Sequence, residues 1–90
     1  MHFRSPDEVI FPIGMTSDPI TNASDLGSLL RRARKSRNLR QEDLALAAGV
    51  GVRFVGDLER GKATARIGET LRVAEALGVR LLIEDPHDSR

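Results

Sequence analysis

From residue 24 onward, apolar side chains return every three or four positions. Leu26, Leu29, Leu30 and Ala33 fall on one face of a helix that runs to about Ser36. Ser24 supplies an N-cap hydroxyl, and Asp25 puts an acid in the first turn, where the helix dipole favours it. Asn38 suits the left-handed position just past the end. A second helix fits 41–48, with Leu44, Ala45 and Ala48 inward and Gly49 as its stop. A third fits 52–60, with Val55 and Leu58 inward and Gly61 as its stop. A fourth fits about 67–77, with Ile67, Leu71, Ala74 and Leu77 inward and Gly78 as its stop.

The two ends follow other rules. In "VRLLIE", residues 79–84, Val79, Leu81 and Ile83 alternate with Arg80, Leu82 and Glu84, which predicts a short β-strand. A lone strand is not stable. It needs either "EVIFPI", residues 8–13, or the same strand of a second copy. Pro12 would confine the former to a sheet edge. Residues 1–23 hold Pro6, Pro12 and Pro19 and no helical period, so they read as an arm. The expected organisation is an arm at 1–23, a helical domain at 24–78, and a dimerisation strand and tail at 79–90. The fold class is mainly α: a bundle of four to five helices with a short C-terminal β-strand.

Composition narrows the chemistry. Ninety residues make one small domain, and the absence of cysteine removes disulfide and thiolate–metal frameworks. No apolar run approaches a membrane span, and the N-terminus lacks the basic and apolar regions of a signal peptide, so the expected location is the cytoplasm. The net charge of +1 conceals a division. Residues 1–24 carry one arginine against three acids (−2), residues 25–62 nine Lys/Arg against five acids (+4), and residues 63–90 four arginines against five acids (−1). A basic centre suits an anionic partner such as nucleic acid, although it also suits solvated helix faces. Converging catalytic groups are missing. His2 and His87 lie near the ends, no HExxH spacing occurs, and no glycine-rich phosphate loop is present. The expectation is a non-enzyme without cofactor or metal.

Residues 41–60 carry the motif. Ala45 is small where a second helix must approach, Gly49 sits where the chain must turn, and Leu44, Val55 and Leu58 supply the core of two crossed helices. Gln41, Leu44, Ala45, Gly49, Val55 and Leu58 have the spacing that a helix-turn-helix requires. Gly56 is unexpected in mid-helix, since glycine there costs about 0.5–1 kcal/mol relative to alanine. In such a motif the second helix enters the major groove with its N-terminal residues at base edges. Val52, Arg53, Gly56 and Asp57 are then the candidate base contacts, with Arg53 able to bond guanine and Gly56 expected to be a bare, exposed patch that lets the backbone approach. Arg40, Gln41, Arg60, Lys62, Thr64 and Arg66 are candidate backbone contacts. Phe54 is expected to be at least partly buried. Arg31, Arg32, Arg34, Lys35 and Arg37 form a basic cluster larger than one phosphate track needs.

"LGSLLRRARKSRNLRQEDLALAAGV" followed by "LERGK" resembles the lambda-repressor-like (XRE) helix-turn-helix family over about residues 25–78. "RFVGDLERGKATARIGETLRVAEALGVRLLI" resembles more narrowly the HipB-type antitoxins, which add a strand after the fourth helix and usually have proline where Ala63 stands. The resemblance implies a homodimer on double-stranded operator DNA, repression of its own operon, a HipA-type kinase toxin as partner, and a phosphate contact by Gln41. Val79, Leu81, Leu82 and Ile83 are the candidate dimerisation residues. A free-standing regulator without a toxin and a pure protein-interaction module are the competing readings. Salt-sensitive DNA affinity separates the latter.

Overall fold

The computed structural model describes residues 19–87, and its elements are α1 (Ala23–Ser36), α2 (Gln41–Ala48), α3 (Val52–Glu59) and α4 (Ile67–Leu77). The glycines do end α2 and α4: Gly49 and Gly78 are their C-caps, both with positive φ. Asn38, at φ 57°, takes the left-handed position after α1. The start of α1 differs from expectation. Its N-cap is Asn22, not Ser24, and the Asn22 side chain accepts from the Asp25 N–H at 2.8 Å. Asp25 in turn accepts from the backbone N–H and the hydroxyl of Thr21 at 3.2 and 2.8 Å. An amide oxygen two residues earlier lets the helix begin at Ala23.

Leu30, Leu44, Val55 and Val73, one from each helix, are fully buried at the centre. Each contributes about 1.5–3 kcal/mol relative to exposure. Ala45, Ala48, Leu58, Ala74 and Leu77 complete the core, with Phe54 and Val79 packed partly against it. The inward face of α4 is Thr70, Val73, Ala74 and Leu77, whereas Ile67 and Leu71 are exposed. Ile67 and Leu71 lie one step round the helix from the core stripe. Thr70 enters the interior because its hydroxyl donates to the Arg66 carbonyl at 2.7 Å and leaves nothing unsatisfied.

The expected C-terminal strand is absent: no strand occurs among the described residues. Alternation in 79–84 sets two faces but supplies no partner for the backbone. The Val79 N–H instead closes α4 by bonding the Ala74 carbonyl at 2.9 Å. Leu81, Leu82 and Ile83 remain exposed, Ile83 to 95%. The run at 8–13, offered as a cis partner, lies outside the described residues.

Two glycines bring α1 against α3. A Cβ on Gly27 would strike the carbonyl oxygens of Leu58 and Glu59, the latter at 2.8 Å. Gly61, after α3, has φ 88°, and a Cβ there would come within 2.9 Å of the Ser24 Cα. The end of α3 is therefore seated on the first half of α1.

Candidate nucleic-acid interface

Residues 49–51 join α2 to α3, and the Val50 N–H bonds the Ala45 carbonyl at 3.0 Å to fix the turn. The start of α3 then faces outward. Val52 and Arg53 are exposed, while Phe54 is half-buried against the core, as its position predicts. One turn on, Asp57 is half-buried and already engaged. Its carboxylate accepts from Arg60 Nη2 at 2.6 Å and faces Lys62 Nζ at 3.7 Å.

Gly56 corrects the sequence reading. It is buried, not a bare exposed patch. Where its Cβ would stand, Arg60 Nη1 and Nη2 lie at 3.4 and 3.7 Å and Gln41 Oε1 at 3.7 Å. A guanidinium and a carboxamide lie over the α3 backbone there, at ordinary contact distance from where a Cβ would stand. Two candidate phosphate ligands thus cover Gly56, which does not offer its own surface.

Beneath Gln41 runs a buried polar chain. Gln41 Nε2 donates to Glu59 Oε1 at 3.0 Å. Glu59 also receives a two-pronged contact from Arg34, Nε to Oε2 at 2.6 Å and Nη2 to Oε1 at 3.0 Å. Arg34 Nη1 donates to the Leu39 carbonyl at 2.8 Å. Burial pushes the Glu59 carboxyl up, but hydrogen bonds from Arg34 and Gln41, with the Arg34 charge, outweigh it and hold the group below its ordinary value. Every buried side-chain polar atom among the described residues has a partner. Sequence reasoning placed Arg34 in a basic cluster of five and did not separate it from the others. The signal that could have separated it is its position four residues after Leu30, on the inward face.

The two remaining arginines among the candidate backbone contacts are also paired with acids close in sequence. Arg40 Nε faces Asp43 Oδ2 at 3.5 Å, and the Arg40 backbone N–H donates to the same carboxylate at 2.9 Å. That backbone hydrogen bond, followed by the side-chain one, lowers the Asp43 carboxyl below its usual range. It also anchors the start of α2, where arginine has no acceptor to cap with. Arg66 pairs with Glu69, as does Arg72 at 3.8 Å. Thr64 is exposed in the loop before α4. Gln41, Arg60, Asp57 and Lys62 are thus brought together, with Arg53 one turn before Asp57 on α3. Arg40 and Arg66 flank α2 and α4. Val79 packs partly against the core, apart from the exposed Leu81–Ile83 run.

A family model described as helix-turn-helix matches residues 30–83, more than half of the chain. The chain belongs to the XRE-type helix-turn-helix family, a family of DNA-binding transcriptional regulators. A helix-turn-helix relative, the uncharacterized HTH-type transcriptional regulator y4mF of Sinorhizobium fredii (strain NBRC 101917 / NGR234), is 49% identical over 71 residues, 79% of this chain and 93% of that protein. Among solved structures, the HipB-O4 20mer complex is similar at TM-score 0.72 and 14% identity, covering 78% of this chain and 99% of that one. The HipA-HipB-O2-O3 complex gives the same figures. At that identity the likeness shows the helix-turn-helix fold alone. Among the described residues no group of His and acidic side chains is placed to hold a metal ion, and no helix is long and apolar enough to cross a membrane.

Proposed function

We propose that this chain is a sequence-specific transcriptional repressor that lays α3 in the major groove of double-stranded operator DNA. The observation that carries this reading is the surface around the start of α3. Arg53 is exposed and has no acid partner among the described residues, while Gln41, Arg60 and Lys62 gather beside it. In this arrangement Arg53 meets a guanine edge and Val52 a thymine methyl, with Asp57 one turn further along the same face. Gln41, Arg60, Lys62, Arg40, Thr64 and Arg66 contact the sugar–phosphate backbone and set the register. The test is selection of duplexes from a random-sequence library by the purified chain, followed by affinity measurements over a range of salt. Failure to enrich any sequence defeats the reading.

The working form in this proposal is a homodimer. Ile67, Leu71, Leu81, Leu82 and Ile83 are large apolar side chains left exposed on α4 and the segment after it, and a second copy would cover them. Two subunits also suit a pair of half-sites. The finer reading is a HipB-type antitoxin that represses its own operon and neutralises a HipA-type kinase toxin. It is supported by the fold shared with HipB and by the "RFVGDLERGK" stretch. Co-purification of a kinase-like protein with the native chain tests it. If no such protein appears, the chain is a free-standing regulator.

A further inference from the structure

The cations proposed to hold phosphate are not waiting empty. Arg40 faces Asp43, Arg66 faces Glu69, and Arg60 and Lys62 both face Asp57. Asp57 differs from the other acids in two respects. It holds two of these cations at once, and it stands on α3 itself, four residues after Arg53. Its carboxylate is mostly covered, with the side chain 25% exposed, while Arg60 and Lys62 reach out from it into solvent. Arg60 is further steadied by lying over Gly56, next to the Gln41 carboxamide.

We propose that Asp57 is a positioning residue that stands in for a DNA phosphate in the free protein. Its single negative charge holds the Arg60 guanidinium and the Lys62 ammonium in the converging arrangement that one phosphate would need. It also halves the net charge they present, from +2 to +1. An arriving phosphate therefore finds oriented ligands but must compete with a carboxylate for them. On unrelated duplex, where phosphate contact is the main attraction, that competition reduces affinity. On the preferred sequence, base contacts from Arg53 add to the phosphate term, so the competition matters less. Asp57 thereby widens the ratio between specific and non-specific binding.

This inference rests on the DNA-binding reading, and the experiment separates the two. The probes are a duplex selected from a random library by the wild-type chain and a scrambled duplex of the same composition. Each is titrated over a salt series with wild type, Asp57→Asn and Asp57→Glu, with thermal melts alongside. Asp57→Asn is expected to bind the scrambled duplex roughly two- to tenfold more tightly, the size of two released surface ion pairs. Its log affinity against log salt should steepen by up to about 0.9 on that probe. The ratio of selected to scrambled affinity should fall, and Asp57→Glu should restore it. Loss of affinity on the selected duplex alone would make Asp57 a base reader and overturn the inference. Equal losses on both probes with a lower melting temperature would make it structural and overturn it as well. Unchanged affinities and slopes would also overturn it. If wild type shows no salt-sensitive affinity for any duplex, the DNA-binding reading itself fails, and this inference with it.

Discussion

Arg34 on α1 holds Glu59 at the end of α3 through two parallel contacts, at 2.6 and 3.0 Å, with the two side chains only 10% and 3% exposed. The pair joins residues 25 positions apart, and through Gln41 it reaches the start of α2. Removing one member leaves a buried charge without its counter-charge. Glu59→Ala is expected to cost about 3–5 kcal/mol. The double variant Arg34→Met/Glu59→Leu should recover much of that loss, because apolar replacements of similar volume do not need pairing. Urea denaturation of the two variants and wild type checks this; a double variant as unstable as Glu59→Ala would contradict it.

Acid should weaken the same joint. The folded Glu59 carboxyl sits below its ordinary value of 4.5, so the unfolded chain takes up that proton first as pH falls. The stability contributed by Glu59 is fully present above 4.5 and declines as pH drops through the lower folded value. Asp43 acts in the same direction from its ordinary 3.8 downward. The urea midpoint should therefore hold steady from neutrality to about pH 5 and fall below that. The fall should be shallower in a Glu59→Gln variant, and an equally steep fall would show that other carboxylates govern it.

Arg53 tests sequence reading directly. Arg53→Ala should cost about 1–3 kcal/mol on a selected duplex and much less on a scrambled one. Equal losses on the two probes would mean that Arg53 touches only phosphate.

Gly27 and Gly56 should respond oppositely to alanine. At Gly27 the new methyl meets backbone carbonyls that cannot swing aside, and overpacking of that kind costs about 1–3 kcal/mol. At Gly56 it meets the far ends of Arg60 and Gln41, which can move. Gly56→Ala should therefore be neutral or stabilising by up to about 1 kcal/mol, from helix propensity. DNA affinity should change little, because at 3.4–3.7 Å the new methyl makes ordinary contacts and displaces neither side chain. Calorimetry with gel-shift titration reads both; a Gly56→Ala chain that loses stability or binds DNA much more weakly would contradict this.

Truncation after Gly78 addresses assembly. It removes Leu81, Leu82 and Ile83, and the remaining chain should sediment as a monomer with weak DNA affinity. A truncated chain that stays a tight dimer would place the interface on the helices.

What the sequence disclosed was what neighbours in the chain decide. Gly49 and Gly78 mark helix ends because a left-handed cap depends on one residue's freedom, and Leu44, Val55 and Leu58 declare the motif's core by spacing alone. The failures involve partners distant in sequence. A strand at 79–84 needs another strand, and alternation cannot name one. Arg34 is a basic residue among five until Glu59 arrives from another helix. Ile67 and Leu71 are apolar at helical spacing, yet Thr70 took the inner face once its hydroxyl found a local acceptor. Gly56 looked like a surface gap because the side chains that fill it come from Arg60 and Gln41.

Gly61 answers to two separate demands, a backbone twist that side chains resist and a near-contact with Ser24. Relieving either one leaves the other in force, so no single compensating change elsewhere can make another residue welcome there. Two positions along, Ala63 is exposed and Thr64 lies open beside it. Across descendants of this chain, variation should therefore collect at Ala63 and spare Gly61, giving the turn one immovable letter and, two places on, one open to drift.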